Sequence, residues 1–413
     1  MTIQFHSMKT TNNIPQGYKN SPLGIIPQEW EVKKLGDVAE SFSGGTPKAG
    51  NNEYYDGNIP FIRSGEIHQK NTALFLSELG LAESSAKIVE KGDLLIALYG
   101  ANSGDSAISQ INGAINQAIL CIRPYNLLTS FLCSFLELKK NMYVAKYLQG
   151  GQGNLSGDIV NNYIIPIPPL PEQQKISEIL NVWDEAIKKQ TRLIEKLELR
   201  KKGLMQQLLT GKKRLPGFSG EWKKIAIKDF AIEISLKNNR NENWEVLSCT
   251  KYDGLVPSLQ YFGRQVFSKD ITQYKIVPQY CFAYATNHIE EGSIGYQSTY
   301  RNALISPMYT VFKTDSNVID DIFLYKLLKS HHAIYLYNVM MEGSIDRRGG
   351  LRWDNFSTIK FLLPDIKEQS AIADILVSCD NEILLAKQKL NEFHQQKKGL
   401  MQVLLTGKKR VTQ

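Results

Sequence analysis

The stretch "KKGLMQQLLTGKKR" at 201–214 returns as "KKGLMQVLLTGKKR" at 397–410, with only Gln207 exchanged for Val403. The same offset of 196 residues aligns "PEQQKISEILNVWDEA" from Pro171 with "KEQSAIADILVSCDNE" from Lys367. Glu172, Gln173, Ile176, Ile179, Leu180 and Asp184 thereby match Glu368, Gln369, Ile372, Ile375, Leu376 and Asp380 without a gap. The duplicated unit is about forty residues long, and what it folds into decides the architecture.

Its period is helical. Alternate steps of four and three from Ile176 pick out Leu180, Trp183, Ile187, Gln190, Ile194, Leu197, Lys201, Leu204 and Leu208, a seam broken only at Gln190 and Lys201. The second copy gives Ile372, Leu376, Cys379, Ile383, Ala386, Leu390, Phe393, Lys397, Leu400 and Leu404, broken only at Lys397. Both are coiled-coil seams. Pro171 and Glu172 suit a helix start, and Gly211 followed by Lys212 and Lys213 suits a helix stop, so capping accounts for "GKKR". Where the helix ends beside a globular domain, Lys212, Lys213 and Arg214 are also expected to touch a polyanion. A helix of this length measures about 58 Å at ~1.5 Å per residue. The segment between the helices is one compact domain, which brings its exit back near its entry. The second helix is therefore expected to run antiparallel to the first.

The regions between the repeats look like mixed α/β domains, of the α+β kind. Each opens on a tryptophan in a similar setting, "EWEVKKLGDVAE" at Trp30 and "EWKKIAIKDFAI" at Trp222. Short apolar runs such as "DLLIALYG", "AILCIRPY", "YCFAYAT" and "MYTVFKT" read as strands between Gly and Asn turns. "GNLSGD" (153–158) matches "GGLRWD" (349–354) at Gly, Leu and Asp. The expected plan is a first domain at 17–165, a helical spacer at 166–211, a diverged second domain at 212–362 and a second spacer at 363–410, with internal pseudo-twofold symmetry.

A net charge of +8 favours a polyanionic partner. Five scattered cysteines form neither a C-x-x-C pair nor an even framework, which fits reduced thiols. "MTIQFHSMKTTNN" lacks the apolar core of a signal peptide, and no window is apolar enough to cross a bilayer, so a cytoplasmic protein without membrane attachment is expected.

Covalent chemistry finds little support. A Walker A loop fails in both copies, with Gln206 and Gln402 at its first glycine and Lys213 and Lys409 where Ser or Thr belongs. "SFSGGTPK" (41–48) is faintly like a methyltransferase glycine loop, but no motif that would hold a target amine accompanies it. Glu137 and Lys139 lie on a helical segment without the upstream Pro-Asp of a nuclease, and six histidines lack zinc-ligand spacing. No catalytic and no metal-binding residue is assigned.

Loops rich in Arg, Lys, Asn, Gln and aromatics carry the positive signal: "PFIRSGEIHQK" (60–70), "QGGQGNLSG" (149–157), "YQSTYRN" (296–302) and "DRRGGLRWD" (346–354). Such side chains suit phosphate contacts and bidentate reading of base edges. The DNA-contact candidates are Lys48, Arg63, Tyr99, Asn102, Ser103, Gln152 and Asn154 in the first domain. In the second they are Arg264, Asn287, Tyr300, Arg301, Arg347, Arg348 and Arg352.

With "FSGGTPKAGNNEYYDGNIPFIRSGEI" (42–67), "KGDLLIALYGANSGDSAI" (91–108), "GAINQAILCIRP" (113–124), "IPIPPLPEQQKI" (165–176) and both copies of the repeat, the chain resembles the specificity subunit of Type I restriction-modification systems over nearly its whole length. The resemblance implies two target recognition domains, each reading one half of a bipartite, asymmetric double-stranded DNA site. It implies that an antiparallel pair of conserved helices holds them apart. Its partners would be two modification subunits that methylate adenine with S-adenosylmethionine and two restriction subunits that use ATP and Mg. This chain would then carry no cofactor and no catalytic residue. A self-contained DNA methyltransferase or nuclease with an unrecognised site is the competing reading.

Overall fold

Among the described residues, five helices of eight or more residues organise the fold: α1 (Thr129–Tyr147), α2 (Leu170–Leu208), α3 (Asp321–Leu328), α4 (His331–Glu342) and α5 (Ile366–Leu404). The computed structural model describes residues 14–147, 154–342 and 350–411. Helices α2 and α5 are the two sequence repeats, and each is 39 residues long.

The chain divides into two compact units, Met1–Gln190 with Lys389–Gln413, and Thr191–Gln388, so each long helix gives one part to each unit. Within the first unit the two helix segments run antiparallel. Glu172 meets Arg410 at 2.7 Å, Asp184 meets Lys397 at 2.8 Å, and the Trp183 and Phe393 rings lie 5.8 Å apart edge to face. The second unit repeats the arrangement: Glu368 meets Arg214 at 2.6 Å, Asp380 meets Lys201 at 2.5 Å and Lys387 meets Glu198 at 2.7 Å.

The helical period places the seam as the sequence requires. Ile176, Leu180, Ile194, Leu197, Leu208, Ile372, Leu376, Ile383 and Leu404 are buried, and Trp183, Ile187, Leu204, Leu390, Phe393 and Leu400 are half-buried. The seam ends do more than pair helices. Ile176, Leu180, Met401 and Leu404 join one core with Trp30, Phe131 and Phe135 of the first domain, and Leu208, Ile372 and Leu376 join another with Phe230, Phe323 and Phe361 of the second. Full burial of such a Leu or Ile contributes about 1.5–3 kcal/mol. The two lysines that interrupt the seam are its cross-helix ion-pair partners, and Lys397 is only 8% exposed.

The junction of each domain with the helices is built twice from repeated residues. Trp30 Nε1 donates to Glu172 at 2.9 Å and Trp222 Nε1 donates to Glu368 at 3.1 Å. Arg410 and Arg214, the last residues of the two repeated phrases, donate to the same carboxylates, each at 2.7 Å through Nε. Gln173 accepts from the Leu128 N–H just before α1, and Gln369 from the Asp320 N–H just before α3, both at 2.8 Å. The side-chain amide nitrogen of each Gln donates to the carbonyl of Pro168 or Pro364. Arg214 is therefore bonded through a charge-assisted fork to the buried Glu368, while its side chain remains 29% exposed. Lys212 and Lys213 stay exposed. The glycine of "GKKR" is a helix stop in both copies: Gly211 and Gly407 both have φ +69°, and the Lys213 and Lys409 N–H groups close onto the Gln207 and Val403 carbonyls at 3.1 Å.

The two domains share a strand plan. In the first, a four-stranded sheet has the order Ala39–Ser43, Ile119–Pro124, Leu94–Ala97, Ser106–Ile108. In the second, the corresponding order is Ala231–Ile234, Tyr309–Thr314, Cys281–Ala285, Ile294–Gln297. A two-stranded ribbon frames each domain, Glu31–Lys34 with Ile164–Ile167 and Lys223–Ala226 with Lys360–Leu363. The first domain adds a four-stranded sheet ordered Leu74–Leu76, Ile59–Ile62, Gly113–Ile115, Lys87–Val89, while the second has only two-stranded ribbons there. The domains diverge in that outer layer and agree where they meet the helices.

Candidate nucleic-acid interface

In the first domain, strands Ile59–Ile62 and Gly113–Ile115 pair in parallel, with Ile62 opposite Ile115, so both leave the sheet at the same edge. Arg63 follows one and Asn116 the other. Arg63 forms a fork onto Glu66, with Nη2 to Oε1 at 3.0 Å and Nε to Oε2 at 3.1 Å. That hydrogen bond holds the Glu66 carboxyl below its usual range against the opposing effect of burial. The guanidinium is thus aimed, and partly neutralised, by a residue that the sequence left unassigned although it stands three positions on.

Three further loops reach this edge. A side-chain carbon at Gly65 would lie 3.7 Å from Asn102 Nδ2, which sets the Tyr99–Asn102 turn beside the Arg63 loop. The Leu98 carbonyl accepts from the Leu155 N–H at 2.8 Å, bringing Asn154 alongside, and the Leu98 N–H donates to the Ala118 carbonyl at 2.8 Å. Thr46 donates to Gln117 at 2.6 Å and Tyr55 to the Pro47 carbonyl at 2.9 Å, which ties down the loop carrying Lys48. Lys48, Arg63, Tyr99 and Asn154 are exposed and Asn102 is half-exposed. Ser103 points inward, 6% exposed with its hydroxyl on the Leu98 carbonyl at 3.0 Å, so it shapes the turn instead of facing outward. Gln152 lies outside the described residues. Thr46 and Gln117 share this edge, and only their position in Gly- and Asn-rich strand ends could have signalled them.

The glycines of "SFSGGTPK" answer to packing. A Cβ on Gly44 would sit 1.8 Å from the Ile115 carbonyl oxygen. Gly44→Ala must therefore push the loop off its strand, at an expected cost of about 1–3 kcal/mol read as a lower thermal midpoint.

The second domain repeats one feature of this edge. The Leu351 N–H donates to the Thr286 carbonyl at 2.9 Å as Leu155 does to Leu98, and both leucines are 1% exposed. The shared Leu of "GNLSGD" and "GGLRWD" is thus the anchor that lays the following residues beside the strand end. Asn287 and Arg352 come together on a cleft of about 440 Å³, whose wall includes Lys275, Met308 and Tyr309. Arg264 is exposed, two residues before Val266, which lines a neighbouring cleft with Asn287. Tyr300 and Arg301 do not join them. They line a different cleft of about 560 Å³ with Trp244 at the start of strand Asn302–Ile305, whereas Pro307 and Met308 follow its other end. Six extended residues separate the two places by about 20 Å. Arg347 and Arg348 lie outside the described residues.

The arrangement suits binding more than bond-making. Burial pushes the Cys121, Cys133 and Cys249 thiols up to about 12 and Cys281 up to about 11, so none of them is a thiolate nucleophile near neutrality. His288, Glu290 and Glu291 gather ligand-type atoms within 4.8 Å on a largely exposed turn, a spacing the scattered histidines do not announce in the sequence. Acidic groups at a surface gather in this way without an ion.

A family model described as the Type I restriction modification DNA specificity domain matches residues 27–199. The MjaVIII Type I restriction enzyme specificity subunit of Methanocaldococcus jannaschii is 26% identical over 94% of this chain and 94% of that protein. The MjaIX specificity subunit of the same organism is 30% identical over 44% of this chain and 45% of its own length. The crystal structure of a Type I restriction-modification S subunit from M. genitalium shares the fold, with a TM-score of 0.57 and 13% identity over 96% of this chain and 98% of that chain. The domain match over 27–199 and the similarity to the MjaVIII subunit along nearly the whole chain agree, and the chain is similar to Type I restriction-modification specificity subunits, one of whose solved structures shares its fold.

Proposed function

We propose that the two domains read the two halves of a split, asymmetric DNA site. In this reading α2 and α5 present one surface twice, so that two copies of a methylating subunit dock on a single chain. One observation carries the reading: the same Glu–Trp–Arg junction is built at both domains, while the loops facing away from it differ. Equivalent junctions suit two copies of one partner, and different loops suit two different sequences. In the first domain Lys48, Arg63, Tyr99, Asn102 and Asn154 supply phosphate and base-edge contacts. In the second, Asn287 and Arg352 form the reading pair, with Arg264, Tyr300 and Arg301 as flanking contacts. S-adenosylmethionine belongs to the methylating partner, and ATP and Mg to two restriction subunits. Among the described residues no helix is long and apolar enough to cross a membrane.

Nuclease footprinting of the chain bound to its methylating partner tests this. Two protected segments separated by an unread gap are expected. Methyl transfer or cleavage by the chain alone, or one continuous protected block, favours a self-contained enzyme instead.

A further inference from the structure

The glutamine bonds to the Leu128 and Asp320 N–H groups fix the same starting register for α1 and α3, and they put Lys329 where the first domain has Glu137. The consequence is a charge imbalance between the halves. In the first, Lys397 lies between two carboxylates, Asp184 at 2.8 Å and Glu137 at 3.2 Å. In the second, Asp380 alone takes both Lys201 and Lys326, and the Lys329 ammonium has only the Ile294 carbonyl, at 3.4 Å. Two ammonium groups thus share one carboxylate, and a third, that of Lys329, has no ion-pair partner among the described residues. Burial pulls Lys329 below its usual range, and Lys326 and Lys201 add to the effect.

Lys329 opens onto a cleft of about 740 Å³. Lys202, Lys212 and the first residues of α4, His331 and His332, line it, over an apolar floor that includes Met205 and Leu209. Lys201 and Lys387 on the rim are already paired with Asp380 and Glu198, whereas Lys202, Lys212 and Lys329 have no carboxylate partner among the described residues. Several unpaired cations beside a helix N-terminus call for more than one negative charge, and phosphate oxygens answer both. The volume and the apolar floor leave room for a ligand of nucleotide size. The corresponding cleft of the first unit, about 420 Å³, sets Asp105, Glu137 and Asp184 against Lys140 and Lys397, so each ammonium lining it is already paired.

We propose that the cleft formed by α2, α5 and the α3–α4 turn binds a small oligophosphate compound, once per chain. A ligand held there marks the second half of an otherwise doubled helical scaffold, which the repeat itself does not.

Calorimetry and thermal melting of the full chain with inorganic triphosphate and with ATP test the proposal, with sodium sulfate at equal ionic strength as control and no DNA present. Saturable binding at one site is expected, with a higher melting temperature that sulfate does not reproduce. Lys329→Met should weaken binding at least about tenfold, the worth of one lost charge-assisted contact, and Lys212→Met should weaken it to a smaller degree. Lys329→Met should also raise the melting temperature of the ligand-free chain, because it removes a buried cation that lacks a partner. Unsaturable heats, an equal shift with sulfate (an adventitious ion only), undiminished binding by Lys329→Met or a lower ligand-free melting temperature would each overturn it. Competition by unrelated duplex DNA as effective as by triphosphate would overturn it too, assigning the cations to nucleic-acid phosphates.

Discussion

Glu368→Ala is expected to destabilise the second unit by about 3 kcal/mol, and Glu172→Ala the first by a similar amount. Glu368 is fully buried and accepts from Trp222 Nε1 at 3.1 Å, Arg214 Nε at 2.7 Å and Arg214 Nη2 at 2.6 Å. Alanine leaves the Trp222 indole N–H without an acceptor inside the junction and the partly exposed Arg214 guanidinium without its partner, and it opens space beneath Trp222. Because the glutamate closes the helix start, the domain entry and the end of the other long helix at once, the loss is not confined to one element. For a unit of this size it should appear as a fall in thermal midpoint of roughly 6–12 °C. Glu368→Gln, which keeps one acceptor, should fall between. A change under about 1 °C in both alanine variants would show the junction to be ornamental.

Combining Asn287→Ala with Arg352→Ala should abolish discrimination at one half of the DNA site and leave the other half untouched. Bidentate contacts to a base are worth about 1–3 kcal/mol each, so the pair together should cost at least about thirtyfold in affinity for the cognate site. The loss should vary with the base substituted at that half. Reversing the charge of the exposed Lys213 should behave differently, weakening every sequence alike and flattening the salt dependence. Affinities measured on half-site variants at several salt concentrations separate the two patterns.

The long helices and the duplication were legible in the sequence because they rest on local period and exact repetition, which neither tertiary context nor divergence obscures. The antiparallel pairing within each unit followed from chain geometry. What the sequence hid are bonds between distant residues. Arg214 and Arg410 look like part of a basic tail, yet their partners stand 154 and 238 positions away. Lys201 and Lys397 look like flaws in an apolar seam and are instead matched to aspartates of the opposite helix. The interface was legible as a set of loops, less so residue by residue. Arg63 and Asn116 leave the sheet at one edge because two strands pair in parallel, Ser103 turns inward because a tight turn needs its hydroxyl, and Tyr300 and Arg301 fall at the far end of a strand from Asn287. Composition cannot rank such positions, since Arg and Asn read alike at every loop.

The most direct test of the central claim is methylome sequencing of cells carrying this chain with its methylating partner, repeated after residues 215–362 are replaced by the equivalent domain of another specificity subunit. An adenine-methylated motif in two parts is expected, of which one part changes with the replacement and the other stays. A continuous motif, or one that survives the replacement unaltered, would contradict the account of two independent readers on a doubled helix.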